Sequence, residues 1–171
     1  QISLDITMHA LKTNNKMPLH TFDLVSELVG GKLKGKKILI CGVSYIADVS
    51  DTRNSPTAIL VDKLIEFGAE VQVHDSYVKD WIERPMVPIS QNIKDCLTDI
   101  DGLVLAVSHK EYMDLNTNYL VDNCTPNIFL VDAQNLLTDA NAELLHQSGF
   151  LYHPVGGLAP PELKLRDLRY R

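Results

Sequence analysis

Short apolar runs recur along this chain, each followed by a polar loop and then a helical stretch, and this alternation limits the fold more than any other feature. The clearest case starts at KILIC, residues 37–41, which reads as a buried strand. A long polar loop, GVSYIADVSDTRNS, follows. Ser55-Pro56 then reads as a helix start, with Ser55 as N-cap and Pro56 at the first helical position. Ala58, Ile59, Val61, Leu64 and Ile65 give that helix its apolar face, and Gly68 ends it. Residues 70–74 form a second strand, and the Pro-rich ERPMVPIS holds one short strand. A short helix is predicted at 93–97, an all-apolar strand at 102–107 and a mostly helical stretch at 110–123. A strand at 128–131, a helix at 138–147 and a final strand at 150–153 complete the series. Strands alternating with helices predict an α/β domain, Rossmann-like, with a mainly parallel sheet and helices on both faces. An N-terminal helical segment, residues 1–29, precedes it, interrupted at Pro18 and closed by Gly30-Gly31.

Right-handed crossovers gather the loops that follow the strands along one sheet edge, where ligands bind at the point of reversed strand order. The loop 42–55, the turn after Asp75, Ser108-His109 and residues 133–135 are therefore expected to face one cleft. That loop has only Gly42 where a dinucleotide fingerprint needs GxGxxG to let backbone approach a pyrophosphate. It offers side chains instead: Ser44, Tyr45, Asp48, Asp51 and Arg53. Arg53 suits bidentate contact with a phosphate. The competing reading is an Asp51–Arg53 ion pair that ties the loop to itself. Asp75 ends a strand where a ribose-binding carboxylate would sit, but without the fingerprint Asp75-Ser76 reads as the opening of a turn. His109 either reaches the cleft or caps a helix, and His74 reads as structural. No Ser–His–Asp order or HExxH pattern stands out.

The 171 residues suffice for a full core, and the net charge of −6 argues against a broad nucleic-acid surface. No apolar stretch approaches the ~18 residues that span a bilayer, and no signal peptide stands out. Cys41, Cys96 and Cys124 lack zinc or disulfide spacing and fit a reduced, cytoplasmic protein. The chain opens on Gln1, so a fragment of a longer protein is expected.

Four stretches carry a family resemblance: NNKMP (14–18), GGKLKGKKILICGVSYIADVSDTRNSP (30–56), LIEFGAEVQVHDSYV (64–78), and LVDAQNLL with GFLYHPVGG (130–137 and 149–157). Together they resemble the C-terminal, UDP-binding domain of the UDP-glucose/GDP-mannose dehydrogenase family. The resemblance divides the chain into residues 1–29, the end of a central dimerisation region; 30–157, a nucleotide-sugar-binding domain; and a tail, 158–171. It implies a full-length NAD-dependent enzyme that oxidises a sugar nucleotide's C6 alcohol to a carboxylate, in polysaccharide biosynthesis. NAD would be bound mainly by an N-terminal domain, catalytic groups would lie in the central region, and the enzyme would be a homodimer. This chain alone would be catalytically inert.

Residue by residue, Ser44 and Tyr45 match substrate-side positions, with Tyr45 beside the nucleotide, and Arg53 matches an Arg that reaches NAD. Ile46 stands where the family has a Lys contacting the sugar nucleotide, and Gln134 where it has an Arg. Those two exchanges keep a second implication open: a non-catalytic assembly or regulatory module that has lost sugar-nucleotide binding.

Overall fold

The computed structural model describes residues 7–9, 13 and 16–156. The expectations for the rest of residues 1–15, for Gly157 and for the 158–171 tail lie outside the described residues.

Helix α1, Met17–Leu28, carries Pro18 in its first turn, where a missing N–H costs nothing. The strands are β1 Lys37–Cys41, β2 Glu70–His74, β3 Ile89–Ser90, β4 Gly102–Leu105, β5 Phe129–Asp132 and β6 Leu151–Pro154. Between them run α2 Thr57–Glu66, a 3-10 turn Ile93–Cys96, α3 Lys110–Met113, α4 Thr117–Asn123 and α5 Asp139–Gln147. The strands form one sheet in the order β3-β2-β1-β4-β5-β6, and all its pairings are parallel. This is the Rossmann order, with its switch point between β1 and β4.

The period-two alternation of strand side chains divides the core into two layers. Ile38, Ile40, Val73, Val104, Phe129 and Val131 face α1 and α2. Leu39, Cys41, Leu103, Leu105, Leu130 and Tyr152 face the 3-10 turn and α3 to α5. Each central strand is covered on both sides, which explains why polar residues occur only at its ends. Helix α1 belongs to the first layer: Phe22, Leu24 and Val25 are buried there, and the Phe22 ring lies 5.0 Å from that of Phe67.

Several element ends differ from expectation for local reasons. Helix α2 begins at Thr57, not at a Ser55 cap, because the Ser55 hydroxyl turns back to donate to the Ser44 carbonyl at 3.3 Å. Strand β4 stops at Leu105, since the amides of Ala106 and Val107 both donate to the Cys41 carbonyl as the chain leaves the sheet. The stretch 110–123 divides into α3 and α4 at Asn116, whose side chain accepts from Asn118 N at 3.0 Å and starts a new helix. At the end of α2 the reading holds. Gly68 adopts φ +84°, its amide bonds to Ile65 O, and Ala69 N bonds to Leu64 O, which closes a Schellman motif.

Candidate functional site

Two buried carboxylates shape the sheet edge. Asp75 follows β2, and Asp132 ends β5; both are fully buried. Asp132 accepts from the amides of Gln134, Leu136 and Leu137 and from the Tyr152 hydroxyl, which sets the course of the chain past Gln134. Asp75 does more. Its Oδ1 accepts from Tyr77 N and Val78 N, which is the turn expected of Asp75-Ser76. Its Oδ2 accepts from Val43 N at 2.8 Å and Ser44 N at 3.3 Å, which anchors the start of the long loop.

His109 joins the same network from the other side of the switch point. It is fully buried and sits under the loop, neither open to the cleft nor capping α3 through its ring. Its Nδ1 accepts from Asp48 N at 2.8 Å, so the ring proton is assigned to Nε2, 3.2 Å from Asp75 Oδ2. Tyr77 stacks on the ring at 4.9 Å. Burial would raise the Asp75 pKa, but the hydrogen bond from His109 and those from the Val43 and Tyr77 amides outweigh it and hold the carboxyl below its ordinary value. Ser44 Oγ also lies 3.3 Å from His109 Nε2, so Ser, His and Asp do meet in space. They are not a nucleophilic triad: the hydroxyl donates to Ile46 O at 2.7 Å, and neither imidazole nitrogen is left to accept its proton. The cluster is a brace.

The brace commits the amides at the base of the loop. The amides of Gly42, Val43, Ser44, Tyr45 and Asp48 donate to His74 O, Asp75, Asp75, Asp51 O and His109 respectively. At the start of α2, Ala58 N and Ile59 N donate to Ser55 O and Pro56 O. Gly42, at φ +96°, serves packing: a Cβ there would stand 2.5 Å from Val107 Cβ. A pyrophosphate needs outward amides and an NAD ribose needs an unspent carboxylate. Among the described residues Asp75 is spent and the amides from Gly42 to Tyr45 are committed, so the end of β1 does not fit a resident dinucleotide.

What remains for a ligand is an open cleft of about 270 Å³ above the brace. Ser44, Tyr45 and Ile46 line it from the loop, Ser108 from beyond β4 and Gln134 from beyond β5. It therefore brings together Ser44, Tyr45, Ile46 and Gln134, the substrate-side residues expected from sequence. Tyr45 and Ile46 are more than half exposed, whereas Ser44 is buried at the base. Gln134 donates from Nε2 to Ala106 O at 3.0 Å, which leaves its amide oxygen able to accept. A neighbouring groove of about 260 Å³, bounded by Met17, Pro18 and Leu60, shares Pro56, Thr57, Ala106 and Gln134 with the cleft.

Arg53 is not in the cleft wall. Its guanidinium grips Asp51 through Nε at 2.9 Å and Nη2 at 2.7 Å, as the ion-pair reading expected. Hydrogen bonding to Arg53 lowers the Asp51 pKa to about 2. The Arg53 side chain is 77% exposed, so the paired guanidinium still presents a face to solvent at the rim. The far side of the loop is held by Thr52, whose hydroxyl donates to Glu83 at 2.7 Å. Arg84, beside it, pairs with Asp62 of α2 and lies over Trp81.

Sequence reasoning missed the roles of Asp48, His109 and Asp132 as organisers. A readable signal existed: HD at 74–75 and VD at 131–132 each place an acid at the end of a strand, one on either side of the cleft.

The Rossmann strand order, with a side-chain-lined cleft at its switch point, defines an α/β domain of the nucleotide-binding type. Comparison with known proteins gives the family. The profile of the UDP-glucose/GDP-mannose dehydrogenase family, UDP binding domain, matches residues 39–139. The UDP-N-acetyl-D-mannosamine dehydrogenase of Methanocaldococcus jannaschii is 30% identical over 149 residues, 86% of this chain and 33% of that protein. The UDP-glucose 6-dehydrogenase of Rickettsia conorii is 28% identical over 159 residues, 91% of this chain and 36% of that protein. Among solved structures, the NDP-N-acetyl-D-galactosaminuronic acid dehydrogenase of Methanosarcina mazei Go1 superposes with a TM-score of 0.79 at 29% identity, over 91% of this chain and 32% of that one. This chain belongs to the UDP-glucose/GDP-mannose dehydrogenase family and corresponds to its UDP-binding domain. It spans about a third of the length of the relatives it matches.

Proposed function

We propose that this chain is the nucleotide-sugar-binding part of an NAD-dependent sugar-nucleotide 6-dehydrogenase, a cytoplasmic homodimer that oxidises the sugar's C6 alcohol to a carboxylate. The observation that carries the reading is the meeting of Ser44, Tyr45, Ile46 and Gln134 in one cleft at the sheet's switch point. In this reading the exposed Tyr45 ring packs on the base or ribose, Ile46 adds apolar contact, and Gln134 Oε1 accepts a ligand hydrogen bond. Ser44 fixes the loop from below. Arg53, held by Asp51 at the rim, reaches toward NAD, which is bound mainly by protein outside this chain. NAD would accept the two hydrides that this oxidation releases, with water supplying the second carboxylate oxygen; the residues here bind and orient the substrate. The test is NADH production by the full-length protein with UDP-glucose, UDP-N-acetylmannosamine and GDP-mannose. Turnover with at least one is expected, and silence with a broad panel of nucleotide sugars would overturn the reading.

One observation favours a second reading, an assembly or regulatory module: the cleft mouth presents exposed Tyr45 and Ile46, and no cation lines it. Full-length protein that remains dimeric but binds no nucleotide sugar would decide for it.

A further inference from the structure

His74 ends β2 and is fully buried, yet neither the brace nor the cleft uses its ring. On one side, Nδ1 lies 2.8 Å from the Tyr112 hydroxyl. On the other, Nε2 has no hydrogen-bond partner and lies 3.9 Å from Glu111 Oε1. Glu111 Oε2 is also buried without a partner, although the side chain as a whole is 36% exposed. Both ring nitrogens therefore face oxygens that can accept. The Tyr112 hydroxyl can take a bond from Nδ1 because its own proton has a place on the His74 carbonyl, 2.9 Å away. Whichever nitrogen carries the proton of the neutral ring, the other has an acceptor ready for a second. His109 is the contrast: its Nδ1 accepts from Asp48 N, so a second proton there would break a bond that carries the loop. Tyr112 touches both rings, with centroids 5.6 Å from His74 and 5.4 Å from His109.

The charged and titratable groups around His74 come from several elements. Glu111 approaches from α3 and Asp75 from the turn after β2, and both favour the charged ring, as does the Gln91 backbone beyond β3. His109, just before α3, would oppose it if charged. Cys41, the partner of His74 in register on β1, and Cys96 of the 3-10 turn are uncharged thiols, since burial raises both. Burial has the largest influence on His74 and holds its pKa below the ordinary 6.5.

We infer that His74 and Glu111 form a proton-binding site: in mild acid the buried ring takes up one proton from solvent and keeps it inside the fold as an ion pair with Glu111, so that α3 stays docked on the end of β2. This site depends on the fold alone, not on the ligand of the cleft. Its effect on stability has a definite sign. With a folded value below 6.5, the neutral ring contributes stability that is fully present above 6.5 and is lost as pH falls toward that folded value. Removing Glu111 lowers the folded value further, so more is lost. Glu111 thus limits how far acid loosens α3, the helix that begins directly after His109 and its hold on the loop.

The test follows the imidazole signals of the full-length protein by NMR with labelled histidine. The His74 signal is identified by its loss in His74→Gln and by its contact with the Tyr112 ring. In wild type it should titrate within the folded protein at a midpoint below 6.5, and Glu111→Gln should move that midpoint to lower pH. Hydrogen exchange of the α3 amides gives a second readout. At matched pH, the ratio of variant to wild-type exchange should be flat above 6.5 and rise severalfold as pH falls through the wild-type midpoint. An imidazole with only a packing role would give a ratio that does not change with pH. The proton site is overturned if His74 stays neutral until acid unfolds the protein, if Glu111→Gln leaves the midpoint in place, or if the exchange ratio is flat throughout.

Discussion

At the scale of single residues, Asp75 holds the site together. One carboxylate accepts from four amides and an imidazole across three segments that are distant in sequence. Asp75→Asn is isosteric, but its amide nitrogen must face at least one of those donors. Leaving buried donors unpaired predicts a loss of roughly 2–4 kcal/mol, measured by urea unfolding. The acid limb of stability follows from the same contacts. With its folded pKa below the ordinary 3.8, Asp75 contributes stability that is fully present above that value and lost as pH falls through the lower folded value. Wild type should therefore lose stability below about pH 4 more steeply than Asp75→Asn, as read from melting temperature against pH. Gly42→Ala combines a positive φ with a Cβ 2.5 Å from Val107 and should cost roughly 2–4 kcal/mol in the same unfolding assay.

At the scale of elements, helix starts depend on short side chains. Asn116 accepts from Asn118 N, and Thr138 accepts from Asn141 N at 3.3 Å. Asn116→Ala and Thr138→Ala should each destabilise by about 1 kcal/mol in denaturant titrations, without altering ligand affinity. These elements also show what the sequence makes legible. Apolar strands and helix-ending glycines are local, so alternation and punctuation reveal them, and with them the α/β class. Ser55 shows the limit. Its local chemistry is that of a cap, but a long-range bond to Ser44 takes the hydroxyl. Likewise, the pairing of His109 with the loop depends on residues 61 to 65 positions apart meeting across the switch point, which no local pattern encodes. The cleft residues were accessible only because the loop's place at the sheet edge follows from topology, and because the family resemblance selects among its side chains.

At the scale of the molecule, α1 changes how the apolar stripe near the start of the chain is understood. Phe22 and Val25 are core residues of this domain, and Leu28 and Val29 pack against them, so the part of the stripe from 22 to 29 is spent within the chain. If the proposed homodimer forms, its contact lies elsewhere, and substitutions at those four positions should lower stability rather than dissociate subunits in light scattering. Among the described residues no helix is long and apolar enough to cross a membrane, and Cys41, Cys96 and Cys124 are free thiols. Burial raises the pKa of all three, most strongly at Cys41, which makes them poor nucleophiles near neutrality. Chemistry on a sugar nucleotide would then need groups from the remaining two thirds of a relative-length protein. This domain would supply the shape that holds the substrate.

The most direct test of that role is a crystal structure of the full-length protein with a UDP-sugar bound. The account predicts ligand density in van der Waals contact with Tyr45 and Ile46 and within hydrogen-bonding distance of Gln134. A UDP-sugar bound with this cleft left empty would contradict it.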